Sequence, residues 1–354
     1  KYCQSVGIIA GQSATKFAPD QTVTAQEAAK MLLVTLGYDA QKAGLVGINW
    51  ASKTNALADE NGLLDDVNTS FTGPCPRQYA AQLIYNAIDA STVVWRDDAY
   101  TKYNYNGDEN PTIGEKYMGL KYATGILMAS GKVGLDNTGA SKALVVKADE
   151  KQTVLNTKYE ANDLIKFTDI KTDYSDLLGM AVKVMYKDKD KVYGVYATKD
   201  NTQQTGILKN LKMDGNKAKL DDTKYDLADK NTVYVNGKSW TENKKDSNNI
   251  KSFIDTYGND SDTKYTNAAY MQPTEVKLLA TDGSTDYSIL NVKTFAVAKV
   301  TAVGSDYINV SFKKGDNTIA SKSKLESDDW DWYDGVKKND YVVLTAAGNY
   351  GTGN

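Results

Sequence analysis

The chain has 354 residues, of which 41% are hydrophobic, and its formal net charge is −3 at pH 7. This length predicts roughly two to four folding units, and the weakly acidic balance excludes the basic face that nucleic-acid binding needs. The sequence has no His and only two Cys, which removes the commonest general base and the usual zinc and iron–sulfur motifs.

Composition divides the chain near residue 92. Before this point Ala and Leu recur with a helical period, and after it Tyr, Val, Thr, Asp, Asn and Lys form short alternating runs. The longest apolar stretch, Met31–Leu36, is far shorter than the ~18–20 residues of a membrane-spanning helix. We therefore expect an α + β multidomain protein, with an N-terminal helical bundle, β-rich small barrels or sandwiches after it, and no membrane insertion.

The helical part, residues 1–92, contains an internal repeat: residues 1–40 are the end of one copy and residues 41–92 are a further copy. The pair Ala28-Ala29 returns as Ala80-Ala81 after about 50 residues, a period typical of helical repeats. Thr24 followed by Glu27 predicts a capping box at the start of a helix. Each copy has too little apolar area to fold alone, so we expect the copies to pack on each other.

The rest of the chain predicts three β-rich regions, residues 93–200, 201–300 and 301–354, the last continuing beyond the chain. A weak repeat supports this division, because Thr124-Gly125-Ile126-Leu127 recurs as Thr205-Gly206-Ile207-Leu208. Residues 241–270 predict a long polar loop with a short helix near Ile250–Tyr257. Three hairpins are expected, with turns at residues 188–190, 236–237 and 281–284.

Several spaced features of residues 1–92 agree in both copies. Gly7-Ile8-Ile9 corresponds to Gly62-Leu63-Leu64, Phe17 to Phe71 and Ala28-Ala29 to Ala80-Ala81, and the first copy also has Pro19 and Thr24 with Glu27. This pattern resembles the S-layer homology (SLH) repeat of bacterial surface proteins of clostridial type, in its second (partial) and third copies. The resemblance implies a helical bundle that anchors the protein to a pyruvylated secondary cell-wall polysaccharide, with a first copy upstream.

Two residues are candidates for contact with that polysaccharide. Arg77 matches the basic contact of the family motif and could bind an acidic polymer in bidentate fashion; the alternative is a solvated Arg at a helix start. Trp50 could line a sugar groove, or it could pack in the helical core. The first copy lacks the motif's Arg, and its Thr24 and Glu27 are better explained as a structural cap.

Two further pairs of residues have weaker interpretations. Cys3 and Cys75 could form a disulfide, as cysteine pairs in surface proteins often do, or they could be two buried free thiols. Asp282 and Asp286 are weak candidates for calcium, although turn chemistry explains them as well. No other cofactor or metal is expected.

The run from Asp328 to Asp334 alternates acids with aromatic residues. On a strand, Trp330 and Trp332 would share one face and the intervening acids the other, which predicts rings packed down and acids in solvent. A sugar platform and a carboxylate pair for glycoside hydrolysis are the alternatives.

The sequence therefore predicts a non-enzymatic, extracellular cell-surface protein. The first hypothesis is an S-layer or other structural protein anchored to the wall polysaccharide, with β-domains for display or for self-association in a lattice. The second hypothesis is an adhesin whose β-rich region binds ligands of a host or a partner cell. A third is the non-catalytic part of a larger wall- or glycan-processing enzyme.

Overall fold

The computed structural model describes Cys3, Ile8, Ile9 and residues 18–240, 248–258, 274–312 and 323–345. Within these ranges the fold is mixed α and β and rich in strand, with several sheets and few helices. The chain forms two compact units, residues 1–121 and residues 122–354.

The first unit is mainly helical. Its elements are α1 (Ala25–Leu36), α2 (Trp50–Glu60), α3 (Arg77–Ile88), β1 (Val94–Arg96), β2 (Ala99–Thr101) and α4 (Ile113–Met118). The core is built on α1, where Ala25, Ala29, Leu33 and Leu36 recur at helical spacing and are buried. Contacts of α1 with both α2 and α3 enclose this apolar face. The helices of the two sequence copies therefore pack on each other, as the repeat predicts.

Gly37 ends α1 in the left-handed conformation, with φ of 119°. A Cβ at this position would stand 2.4 Å from the carbonyl oxygen of Val93. The close approach exists because the Val93 N–H donates to the Leu36 carbonyl at 2.8 Å. The chain after α3 is thus fastened to the end of α1.

This unit extends past residue 92, where the composition changes. Val93 and Ile113 are buried in the helical core, so the β1–β2 hairpin and α4 fold with the helices. Tyr100 of the hairpin packs on Tyr38 with ring centroids 4.5 Å apart, and its hydroxyl accepts the Asp39 N–H at 2.8 Å. Periodicity marks the end of the helical repeats but not the end of the folded unit.

The second unit begins with a six-stranded sheet in the order β10-β9-β3-β5-β8, to which β4 adds by pairing with β3. Its strands are β3 (Lys121–Ser130), β4 (Val133–Gly134), β5 (Leu144–Ala148), β8 (Leu164–Phe167), β9 (Ala181–Asp188) and β10 (Lys191–Ala197). A separate small hairpin is formed by β6 (Gln152–Val154) and β7 (Thr157–Tyr159).

An eight-stranded sheet follows, with a main order of β11-β17-β18-β15-β16. Its strands are β11 (Thr202–Ile207), β15 (Leu227–Val235), β16 (Lys238–Trp240), β17 (Thr274–Ala280), β18 (Tyr287–Val303), β19 (Tyr307–Phe312), β20 (Lys324–Glu326) and β21 (Tyr341–Thr345). Helix α5 (Asn249–Tyr257) packs against it, as does a three-stranded sheet of β12 (Leu211–Asp214), β13 (Lys217–Leu220) and β14 (Thr223–Tyr225).

Three apolar cores fill the second unit. We call them the first, second and third β-cores, and their members lie mainly in residues 123–195, 208–292 and 296–344. The single strand β18 contributes to the second and the third, because it is 17 residues long and its buried side chains continue from Leu290 and Val292 of the second core to Ala296, Ala298 and Val300 of the third. Among the described strands no pairing closes either large sheet into a barrel, so barrels, one of the two expected architectures, are not observed.

The three predicted hairpins are confirmed. β9 pairs with β10, β15 with β16 and β17 with β18, all antiparallel. The Asn236-Gly237 turn has positive φ at both residues, as this dipeptide predicts. The predicted short helix is α5, whereas residues 241–247 and 259–273 of the expected polar loop lie outside the described residues.

Candidate functional site

The start of α1 carries the predicted capping box. The Thr24 hydroxyl accepts the Glu27 N–H at 3.2 Å, and the Glu27 carboxylate accepts the Thr24 N–H at 2.8 Å and its hydroxyl at 3.0 Å. This reciprocal pair fixes the first turn of α1 and uses one oxygen of the carboxylate. Glu27 is therefore a structural residue, and its negative charge is held in place at the helix start.

A cavity of about 580 Å³ lies beside this cap. It is bounded by the segment before α1, the first two turns of α1, the loop before α2, and Ile8 and Ile9 of the N-terminal segment. Its lining residues are Ile8, Ile9, Ala18, Pro19, Gln21, Thr22, Val23, Glu27, Lys30, Met31, Val46, Gly47 and Trp50. The lining is mostly apolar with a few polar groups, the usual character of a ligand pocket.

Trp50 and Lys30 meet at this cavity. Trp50 is the first residue of α2, and the Lys30 ammonium lies 5.5 Å from its ring centroid. This distance allows a cation–π interaction. Trp50 is half-buried in the cavity wall and is not a member of the helical core formed by the described residues. Trp50 therefore lines the cavity.

Burial lowers the pKa of Lys30, and the charge of Glu27 partly opposes this by raising it. The ammonium makes no salt bridge with any residue that the structure describes. Lys30 is thus a partly desolvated cation beside an aromatic ring, with its hydrogen-bond donors available to a ligand. Sequence reasoning missed this residue; its place one helical turn after Glu27, next to the cap, was the available signal.

Arg77 lies elsewhere on the first unit. It is the first residue of α3, it is exposed, and it does not line the cavity. Pro76 caps this helix without a side-chain hydrogen bond, and within the described ranges the Arg77 guanidinium has no hydrogen bond or ion pair. The starts of α1 and α3 are connected, because Thr24 and Pro74 form a β-bridge and the Cys75 N–H donates to the Val23 carbonyl at 2.8 Å. The structure therefore brings Trp50 together with Lys30 in the cavity rather than with Arg77.

Cys3 and Cys75 are free thiols in the structure, so the disulfide alternative is not observed. Cys3 is exposed, and Cys75 is half-buried with its sulfur 3.6 Å from the Pro76 carbonyl oxygen. The other alternative, two buried free thiols, is also wrong, because Cys3 is exposed and Cys75 is only half-buried. Burial raises the pKa of the Cys75 thiol.

Asp282 and Asp286 occupy the turn between β17 and β18. The Asp282 carboxylate accepts the Ser284 N–H at 3.1 Å, and hydrogen bonds from Ser284 lower the pKa of Asp282. The Asp286 N–H in turn donates to the Ser284 hydroxyl at 3.2 Å. Across the described residues no three His, Cys, Asp or Glu side chains are grouped to hold a metal ion, and the two aspartates serve the turn.

The acidic aromatic run is not a strand. The chain turns at residues 327–329, where the Trp330 N–H donates to the Glu326 carbonyl at 2.9 Å. Trp330 and Trp332 nevertheless pack against the third β-core, as expected of the rings. The strand prediction is wrong because no neighbouring strand pairs with this segment among the residues that the structure describes.

Fold and cavity together define a strand-rich α and β protein whose helical unit carries a pocket lined by an aromatic ring and a cation. No helix in the described part of the chain is long and apolar enough to cross a membrane. No family model matches the chain, and neither the curated proteins nor the solved structures contain a match.

Proposed function

We propose that this protein is a bacterial surface protein whose helical unit binds an anionic secondary cell-wall polysaccharide. Its β-rich unit is the displayed part, available for lattice contacts. The role is binding, not catalysis. The resemblance of residues 1–92 to SLH repeats supports the class of ligand, and one observation supports the place: the Lys30 ammonium over the Trp50 ring in the cavity beside α1.

The chemistry of this pair suits an acidic sugar. An ammonium in a partly desolvated cleft binds a carboxylate more strongly than a fully hydrated one does. An indole ring offers a flat apolar surface for the carbon face of a sugar and loses little conformational entropy on binding. Val23, Met31 and Val46 add apolar lining that suits the nonpolar parts of a sugar. A pyruvylated sugar carries both a carboxylate and an apolar group, so it would use both halves of the cavity.

Arg77 supplies a second contact in this proposal. Its guanidinium is exposed and has no partner among the described residues, so binding an acid there breaks no ion pair with them. Solvent screens it more than it screens Lys30, because Arg77 lies on the open surface. We therefore expect Arg77 to contribute less per contact than Lys30, and to lose more of its contribution at high salt.

The test is co-sedimentation of the full chain with purified wall fragments, before and after chemical removal of the secondary polysaccharide. Four variants are compared with the unmodified chain: Lys30→Met, Trp50→Ala, Arg77→Ala and the control Lys53→Met. Lys53 is an exposed lysine of α2 that does not line the cavity. Its loss removes the same charge from the same unit without touching the site.

Binding should disappear when the polysaccharide is removed. Lys30→Met and Trp50→Ala should each raise the dissociation constant by roughly tenfold, which corresponds to a lost charge-assisted hydrogen bond or a lost aromatic contact. Arg77→Ala should raise it by roughly two- to fourfold, and Lys53→Met should leave it unchanged. Equal binding by the Lys30, Trp50 and Lys53 variants would show that the cavity is not the site, and binding that survives polysaccharide removal would disprove the ligand.

A further inference from the structure

Lys132 occupies an unusual position in the second unit. It follows Gly131 in the turn between β3 and β4, yet only 13% of its side chain is exposed. Its ammonium donates to the carbonyl oxygen of Ser327, lies 3.4 Å from the Trp330 carbonyl oxygen, and forms an ion pair with Asp331 at 3.2 Å. A lysine with this many oxygen partners far along the sequence is not a solvated turn residue.

The carbonyl oxygens that contact Lys132 belong to one turn of the chain. We call the Ser327 and Trp330 carbonyl oxygens the carbonyl cradle. The Ser327 N–H donates to the Asp306 carbonyl at 2.8 Å, and the Asp329 and Trp330 N–H groups donate to the Glu326 carbonyl at 3.0 and 2.9 Å. These bonds close a single turn whose later carbonyls lack a continuing helix to donate to them. An ammonium has three donors and no acceptor, so it satisfies two carbonyls and a carboxylate at once.

The contact joins two different apolar cores. Val133, the residue after Lys132, packs on the first β-core, whereas Trp330 and Trp332 pack on the third. The same loop also contacts the turn between β15 and β16, because the Asp136 N–H donates to the Gly237 carbonyl at 2.8 Å. Residues 131–136 therefore connect the first β-core to the turn that carries Trp330 and to the β15–β16 turn.

Strand β18 contains a point at which it can bend, so that the third β-core rotates relative to the rest of the sheet. Within the described residues it pairs with β17 as far as Thr294, and with β21 from Phe295 onward. Between these two residues the strand changes one set of neighbours for another while the chain itself continues. Bending at such a point costs fewer ladder hydrogen bonds than bending inside either set.

We propose that Lys132 is a latch that holds the third β-core against the first, and that release of its ammonium lets the third core swing about Thr294–Phe295 of β18. The carbonyl cradle provides most of the hold. The Asp331 carboxylate provides little, because 75% of its side chain is exposed and solvent screens its charge. The latch is a conformational device of the displayed unit and is independent of polysaccharide binding by the first unit.

Hydrogen exchange on the full chain tests the latch through three variants. Lys132→Met keeps the length of the side chain and removes its donors, Asp331→Asn keeps the cradle and removes its charge, and Lys142→Met is the control. Lys142 belongs to the same unit, with 69% of its side chain exposed and a loose ion pair to Asp169 at 4.0 Å. The reporters are the amides of Asp329 and Trp330, whose turn binds the Lys132 ammonium, and the amides of β5 in the first core are the internal reference.

In the Lys132→Met variant the reporter amides should exchange roughly tenfold faster while those of β5 keep their rates. Asp331→Asn should change the reporters by less than about twofold, and Lys142→Met should leave them unchanged. Unchanged reporter rates in Lys132→Met would overturn the latch. So would a uniform acceleration that includes β5, because that result describes loss of global stability.

Amine labelling of the unmodified chain gives a second measurement that needs no variant to fold. If the ammonium is held in the cradle, a small amine-reactive reagent should modify Lys132 at least about tenfold more slowly than Lys142, since reaction requires opening. Labelling of Lys132 should also accelerate exchange at the reporter amides. Equal labelling rates at Lys132 and Lys142 would contradict the proposal.

Discussion

Asn236 and Thr294 hold each other through two buried hydrogen bonds. The Asn236 side-chain amide donates to the Thr294 hydroxyl at 2.7 Å, and its carbonyl oxygen accepts the Thr294 N–H at 2.9 Å. The Asn236 N–H also donates to the Val292 carbonyl at 2.8 Å. This pair ties the turn between β15 and β16 to β18 at the point where that strand changes its neighbours.

We predict that Asn236→Ala lowers the free energy of unfolding by about 3 kcal/mol. Two buried groups of Thr294 lose their partner, at roughly 1–3 kcal/mol for an unsatisfied group. Ala also tolerates the φ of 48° at this position poorly, which adds about 1 kcal/mol. Urea denaturation of the full chain, followed by far-UV circular dichroism, measures the change.

Asn137→Ala is the matched control for the backbone cost. Asn137 is exposed and has a φ of 63°, and none of the hydrogen bonds between described groups uses its side chain. Its replacement should cost only about 1 kcal/mol. If the two variants lose equal stability, the buried pair contributes nothing and strain explains both.

The two glycines of the Thr-Gly-Ile-Leu repeat should respond differently to Ala. At Gly125 the φ is 147°, and a Cβ would stand 2.1 Å from the carbonyl oxygen of Lys147 on the neighbouring strand. At Gly206 the nearest atom would be the flexible end of Leu220, at 2.8 Å. We predict that Gly125→Ala costs about 3 kcal/mol or more and Gly206→Ala about 1 kcal/mol.

Thermal unfolding of the two alanine variants measures this difference. Equal losses would mean that the β3–β5 pair shifts to accommodate the methyl group. The repeat itself was visible in the sequence, but the reason for each glycine was not. One is required by backbone conformation and by the neighbouring strand, and the other only by a side chain.

Local signals of the sequence predicted the elements that are decided locally. The capping box at Thr24 and the Asn236-Gly237 turn need only neighbouring residues, and both are confirmed. The cavity could not be derived in this way. The contact of Lys30 with Trp50 depends on how the loop before α2 returns to α1, which no periodicity encodes.

The errors have the same origin. Alternation around Trp330 predicts a strand, but a strand also needs a partner, and the chain turns there instead. The composition change at residue 92 does not reveal that Ile113 is buried in the helical core. Pairing and burial over long sequence distances decide these features, so single-sequence patterns do not fix them.

Stability should fall at high pH because of Tyr234. Burial, together with a smaller contribution from the charge of Asp136, raises the pKa of Tyr234 to about 12. The unfolded chain has a Tyr pKa of about 10. The folded state therefore keeps its proton longer, so this contribution is complete below pH 10 and is lost as the pH rises from 10 to 12.

We predict that Tyr234→Phe flattens the decline of unfolding free energy over this range by up to about 2–3 kcal/mol. Burial also raises the pKa of Tyr38 and Tyr186. Both proteins contain these two residues, so their contributions to the unfolding free energy cancel in the comparison. Urea denaturation at pH 9, 10, 11 and 12 gives the two curves. Parallel curves would show that the Tyr234 hydroxyl is ionised in the folded state as easily as in the unfolded chain.

Glu27→Gln separates the structural role of Glu27 from its electrostatic effect on the cavity. A glutamine at the third helical position can complete a capping box, so α1 should keep its cap and most of its stability. The substitution removes the one carboxylate that raises the pKa of Lys30, which should therefore fall further. It also removes a negative charge from the cavity wall.

If the cavity binds an anionic polysaccharide, Glu27→Gln should tighten binding by roughly two- to fivefold at low salt, because a repulsive charge has been removed. Glu115→Gln is the control, since Glu115 forms the equivalent capping box with Thr112 at the start of α4 and does not line the cavity. It should leave binding unchanged. Weaker binding by the Glu27 variant would mean that the carboxylate itself contacts the ligand, as an acceptor for sugar hydroxyls, and that the cavity favours a neutral glycan.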